Sequence, residues 1–106
     1  MDTDLDNLFF EPDGRMGEEQ AAPLLAKGKL RIEKIFSHGR ASSPDFWYDQ
    51  PEDEWVALLR GTATLKFEDG TIRRLAAGDY LVIERHMKHR VEETSPDAVW
   101  LAVHYD

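Results

Sequence analysis

The chain has 106 residues, which is enough for one domain with one modest hydrophobic core. Its 21 acidic residues outnumber its 13 Lys and Arg residues, and a nucleic-acid backbone would repel the resulting formal net charge of −8. The sequence contains no cysteine, which excludes disulfides, thiol nucleophiles and thiolate metal ligands.

The chain shows no signal for export or membrane insertion. Its first residues are acidic and lack the basic start and apolar stretch of a signal peptide. The longest apolar run, residues 98–103, has six residues, whereas a membrane-spanning helix needs about 20. We therefore expect a cytoplasmic protein that binds neither nucleic acid nor membranes.

Residues 1–28 predict a short N-terminal arm that precedes the main domain, residues 29–106. One short helix is predicted in the arm, starting near Ala22 because Pro23 is tolerated only in a first turn. Gly28 is a suitable residue to end that helix. Four apolar residues are expected to pack the arm against the domain: Leu8, Phe9, Leu24 and Leu25.

The remainder of the chain predicts short strands divided by turns. The predicted strands span residues 30–36, 46–49, 54–60, 62–68, 71–75, 80–83, 88–93 and 98–105. Asp69 and Gly70 are typical of a two-residue hairpin turn. Because no long helix separates the strands, the crossovers of a parallel sheet are missing. The sequence therefore predicts an all-β fold, a single antiparallel β-barrel or jelly roll.

Two of these segments contain residues suited to chemistry. Glu54 opens an apolar strand and shares its face with Val56 and Leu58. A carboxylate on an inward face is costly unless it is paired or bound to a metal. His89 follows a tight turn and begins another strand.

Together the two segments resemble the motifs of the cupin superfamily, G-x5-H-x-H-x(3,4)-E-x6-G and G-x5-P-x-G-x2-H-x3-N. Glu54 and Gly61 have the E-x6-G spacing, and Gly78 and His89 match the first glycine and the histidine of the second motif. The resemblance spans about residues 30–105 and is to small single-domain bacterial cupins. It implies a jelly-roll barrel with a site inside.

The two histidines of H-x-H are absent from the chain. Depending on the gap before Glu54, their positions hold Tyr48 and Gln50, or Trp47 and Asp49. The even parity that Tyr48 and Gln50 share with Glu54 favours the first pair. The resemblance then implies a site for a divalent metal (Zn, Fe, Mn or Ni) or for a small-molecule ligand. Its candidate metal ligands are Gln50, Glu54, His89 and Tyr48.

Three further residues are predicted to line the pocket. Arg60 shares the parity of Glu54, His86 lies in the turn before His89, and Asp49 belongs to the alternative register. A structural role is predicted for His104, in the last strand.

Three functions stay open at this point: a metal-dependent enzyme, a non-catalytic binding or sensor module, and a structural dimer with a vestigial site. The strand over residues 54–60 is apolar on both faces, and large exposed apolar patches are uncommon in monomers. Cupins often dimerise through such a face, so the resemblance also implies a homodimer.

Overall fold

A computed structural model describes residues 5–11 and 14–106, and every regular element among them is a strand. These residues include no helix with the length and hydropathy needed to cross a membrane. The strands are β1 (Gln20–Lys27), β2 (Leu30–Phe36), β3 (Asp53–Arg60), β4 (Thr62–Phe67), β5 (Ile72–Ala76), β6 (Tyr80–Ile83), β7 (His89–Thr94) and β8 (Val99–Tyr105).

The strands form two antiparallel sheets, which confirms the predicted β-barrel or jelly-roll class. The larger sheet has the order β1-β2-β8-β3-β6, and the smaller has the order β5-β4-β7. Seven predicted strands, β2 to β8, are present within one residue of their expected ends. Apolar and polar residues alternate along these strands, so that the apolar face of one sheet packs against the apolar face of the other sheet.

The predicted short helix is wrong, because the residues around Pro23 form β1. Lys27 pairs with Leu30 across a two-residue turn at Gly28, whose φ of 57° suits a residue without Cβ. β1 is an edge strand, and its register shifts between Pro23 and Leu25. Proline is tolerated at such edges and bulges, so a residue expected to restrict a helix instead lies in a strand.

The predicted strand over residues 46–49 is also absent. Only Tyr48 pairs, through a single antiparallel bridge to His89. The Tyr48 amide donates to the His89 carbonyl at 2.7 Å, and the His89 amide donates back at 3.2 Å. This bridge fixes the loop before β3 against the first residue of β7.

The core fills the space between the sheets. Its buried members are Val56, Leu58, Ala63, Leu65, Phe67, Leu75, Ile83, Ala98, Trp100 and Ala102. Trp100 also donates from its indole Nε1 to Ser37 Oγ at 2.8 Å, which satisfies its buried polar atom.

A bulge ends β3, since its pairing with β8 shifts register between Leu58 and Arg60. Gly61 follows with a φ of 81°, and a Cβ there would lie 2.3 Å from Ser95 Oγ and 3.0 Å from the Ala98 Cα. The last position of the E-x6-G motif therefore needs glycine for both its backbone conformation and its close packing.

The outer face of the larger sheet carries one apolar side chain from each strand. Cross-strand pairs connect them into a continuous outer row: Leu25, Ile32, Val103, Trp55 and Val82. Leu25 and Val82, at the two ends of the row, are 50% and 48% exposed.

The N-terminal arm contacts the same sheet through cations. Lys34 Nζ donates to the carbonyls of Asn7 and Phe10 at 3.1 and 3.0 Å. The Arg60 guanidinium lies 4.4 Å from the ring centroid of Phe9. The four residues expected to pack the arm stay 37–50% exposed: Leu8, Phe9, Leu24 and Leu25.

Candidate functional site

A cavity of about 130 Å³ lies between the two sheets. Its apolar wall consists of Ile35, Val56, Leu65, Ile83, Val91 and Trp100. Its polar wall consists of Glu19, Glu33, Tyr48, Gln50, Glu54, His89 and His104. The four candidate ligands from the sequence therefore face one space, together with three polar residues that were not predicted to line it.

Glu54 reaches the cavity from β3, where it is paired with Ile83 of β6 and His104 of β8. It is only 7% exposed. Burial, reinforced by the negative charge of Glu33, raises the pKa of Glu54 to about 7. Near neutral pH this carboxyl group exists in both protonation states and can therefore donate or accept a proton.

His104, for which a structural role was predicted, also lines the cavity. Its Nε2 lies 3.2 Å from Glu33 Oε1 and 3.9 Å from Glu54 Oε2. Its Nδ1 is buried and has no hydrogen-bond partner. Because alternation along β8 directs Trp100 and Ala102 inward, the same alternation could have identified His104 as inward-facing.

His89 is held in one orientation at the start of β7. Its Nδ1 donates to the Met87 carbonyl at 3.0 Å, and its ring stacks on Tyr48 with centroids 5.4 Å apart. Burial lowers the pKa of His89, so the ring is neutral at physiological pH. Its Nε2 is therefore a hydrogen-bond acceptor.

Tyr48 and Glu19 occupy the side of the cavity nearest the arm. Burial, together with the charge of Glu19, raises the pKa of Tyr48, so its phenol stays protonated. Burial also raises the pKa of Glu19, and the charge of Arg40 partly offsets that rise.

An open groove of about 510 Å³ adjoins the cavity. The two spaces share Glu19, Tyr48 and Val91. The groove adds Glu18, Arg40, Ser42, Ser43 and Phe46 to its own lining.

Three residues predicted to line the pocket lie elsewhere. The Arg60 prediction fails because the bulge after Leu58 reverses the alternation of β3, and its guanidinium lies on Phe9 outside the barrel. His86 Nδ1 and Asp49 Oδ1 pair at 2.7 Å, and both side chains are exposed. Of the two registers left open, the one with Tyr48 and Gln50 faces the cavity.

The donors present are weaker metal ligands than those of the cupin motifs, because Tyr48 and Gln50 stand where the motif has two histidines. Within residues 5–11 and 14–106, no three or more His, Asp or Glu side chains are arranged to hold a metal ion. Of the histidine and glutamate positions in the two cupin motifs, only those of Glu54 and His89 keep the motif's residue type. Gln50 offers a weak amide oxygen, and the protonated phenol of Tyr48 is a poor ligand.

The comparisons with known proteins agree with this architecture. The model of the cupin domain family matches residues 34–104. A crystal structure from Ralstonia eutropha JMP134, of a protein provisionally named mannose-6-phosphate isomerase, is 42% identical with a TM-score of 0.90. That match covers 97% of this chain and 98% of the Ralstonia chain.

More distant structures share the fold. A cupin superfamily protein from Desulfitobacterium hafniense DCB-2 is 18% identical, with a TM-score of 0.71 over 88% of this chain and 82% of that chain. The FeII HppE structure is 16% identical, with a TM-score of 0.67 over 82% of this chain and 50% of that chain. No curated protein matches the chain.

The raised pKa of Glu54 predicts a specific pH dependence of stability. A carboxyl group whose folded-state pKa is about 7 rather than 4.5 stabilises the fold below pH 4.5 and loses that contribution as the pH rises through 7. Relative to wild type, Glu54→Gln should therefore gain up to about 3 kcal/mol of unfolding free energy between pH 5 and pH 8. Urea unfolding across this range measures the difference.

The matched control is Glu68→Gln, which removes an exposed carboxylate paired with Lys88. Its stability difference from wild type should stay flat over the same range. An equally flat difference for Glu54→Gln would contradict the prediction.

Proposed function

The chain belongs to the cupin domain family, and from that premise we propose that it binds a small molecule in the cavity of its barrel. The observation that carries the proposal is the unpartnered Nδ1 of His104, buried in a wall of that cavity. A buried polar atom without a partner costs free energy, and a bound ligand removes that cost.

The composition of the cavity wall favours binding over simple core packing. Apolar side chains from both sheets surround a few convergent polar groups, which is the usual composition of a small-molecule site. Burial raises the pKa of Glu54 to about 7 and lowers the pKa of His89, and shifted pKa values are typical of functional sites. The same groups would serve as acid and base if the ligand is also a substrate.

The cavity is poorly suited to mannose 6-phosphate, the compound in the name of the Ralstonia protein. Mannose 6-phosphate carries an anionic phosphate, whereas three carboxylates line this cavity: Glu19, Glu33 and Glu54. A cavity of about 130 Å³ is also small for a hexose phosphate.

The binding proposal predicts a ligand response that depends on Glu54. In a screen of small alcohols, amides, amines and carboxylic acids, at least one class should raise the melting temperature. It should also shift the imidazole NMR signals of His89 and His104. Glu54→Gln should weaken the response at least about tenfold, and the exposed Glu68→Gln should not. A screen in which no compound moves either imidazole would rule out binding in the cavity.

A divalent metal is the second candidate, with Gln50, Glu54, His89 and Tyr48 as its ligands. One observation favours it: the bond from His89 Nδ1 to Met87 fixes the ring and leaves a neutral Nε2 free to coordinate. When bound, a metal of this type would supply a Lewis acid.

Elemental analysis of protein purified without a tag distinguishes the two candidates. Because the donor set is weak, we expect less than one equivalent of Zn, Fe, Mn or Ni per chain. One full equivalent that both Glu54→Gln and His89→Ala abolish would establish the metal instead.

The apolar outer row supports a homodimer. In a dimer with two-fold symmetry, the outer rows of the two copies would pack against each other, so that each row covers the other. We expect light scattering to give twice the 12.2 kDa chain mass at micromolar concentration. Trp55→Glu should give a monomer, because it buries charge in the middle of the row. Phe46→Glu, outside the row, is the control, and a wild-type monomer would contradict the proposal.

A further inference from the structure

The cavity carries an excess of negative charge. Glu19, Glu33 and Glu54 line it, and within residues 5–11 and 14–106 no Lys or Arg does. The two nearby cations lie outside. Arg31 donates to Glu52 at 3.1 Å, and Arg40 lines the adjoining groove. The positive charge of Arg31 acts against the rise in the pKa of Glu54.

The histidines add acceptors rather than charge. His89 Nδ1 donates to the Met87 carbonyl, which leaves Nε2 as an acceptor. Because a carboxylate only accepts, His104 Nε2 donates to Glu33. In the neutral ring, Nδ1 of His104 is then a buried acceptor with no partner.

Donors are scarce by comparison. The indole Nε1 of Trp100 is already used by Ser37. The Tyr48 hydroxyl and the Gln50 amide are the remaining donors among the described cavity-lining side chains. An occupant that complements this wall must therefore donate several hydrogen bonds and accept few. Water would supply donors but would leave the negative charge uncompensated.

We propose that the occupant of the cavity is a small organic cation, a primary ammonium compound, held by Glu19, Glu33 and Glu54 and by the acceptor nitrogens of His89 and His104. This inference rests on the proposed function, since it names the class of ligand that the cavity takes. An ammonium group has one positive charge and three N–H donors. Charge-assisted hydrogen bonds to its carboxylates are the strongest that the wall offers.

Two further features agree with a cationic ligand. The neighbouring charges of Glu33 and Glu19 help to raise the pKa of Glu54, and the charge of Arg31 acts in the opposite direction. Tyr48, whose ring stacks on His89, lines both the cavity and the groove, and an aromatic face suits a cation as well as an alkyl chain.

The volume limits the ligand to a compact molecule. About 130 Å³ corresponds to roughly four water molecules at the density of the liquid. Longer ligands would extend into the groove, where Glu18 continues the acidic lining beside Arg40.

Three probes of similar size test the charge preference on the wild-type protein: 3-amino-1-propanol, 1,3-propanediol and 3-hydroxypropionate. Each has three carbon atoms and at least one hydroxyl group, and they differ in charge. Titrations followed by the imidazole NMR signals of His89 and His104 give each dissociation constant. We expect the aminopropanol to bind at least about tenfold tighter than the diol, and the hydroxypropionate to bind weakest.

A matched pair of variants locates the binding. Glu33→Gln removes one cavity carboxylate at nearly constant shape and should weaken aminopropanol at least about tenfold. Glu68→Gln makes the same charge change on the surface and should leave the affinity within twofold.

The outcomes separate this inference from the proposed function. Equal or tighter binding of the diol or of the hydroxypropionate would overturn the cation and retain a small-molecule site. The inference of a cationic ligand would also be overturned if none of the three probes shifts the imidazole NMR signals, or if only a divalent metal does. The broader ligand screen then decides the proposed function. Aminopropanol affinity that Glu33→Gln leaves unchanged would place the binding elsewhere and overturn the inference too.

Discussion

The cavity depends on one constraint, the burial of the Glu54 carboxyl group in a space that no Lys or Arg lines among the described residues. Burial alone makes the ionised form unfavourable, and Glu33 adds a like charge nearby. His104 Nε2 donates to Glu33 at 3.2 Å and lies 3.9 Å from Glu54, too far for a second hydrogen bond. The unpartnered Nδ1, the raised pKa and the scarcity of donors all follow from this arrangement.

The fold keeps that arrangement in place through long-range pairing. β3 lies between β6 and β8, so that Ile83 and His104 flank Glu54 across the sheet. The Tyr48–His89 bridge fixes the loop before β3 against the first residue of β7, which keeps Tyr48 beside His89. Polar groups from distant parts of the chain thus converge on one space that a packed apolar core surrounds, an arrangement that suits selective binding of a small ligand.

Local patterns predicted seven strands and the inward face of Glu54, because strand alternation and turn residues are short-range properties. Glu33 and His104 were missed as site residues because their approach to Glu54 depends on the register between β2, β8 and β3, which no spacing in the sequence encodes. Arg60 was misplaced because a bulge reverses alternation without changing composition. Pro23 was misread because an edge strand tolerates it as well as a first helical turn does. The homodimer and the cytoplasmic location stay predictions.

The most direct test of the account is a carbon-13 NMR titration of the glutamate side-chain carboxyl groups in the wild-type protein. The account predicts that one resonance, assigned to Glu54 by its loss in Glu54→Gln, titrates near pH 7. A Glu54 resonance that titrates with the exposed glutamates would show that the carboxyl group is solvated. That result would contradict the buried acidic cluster on which the cavity depends.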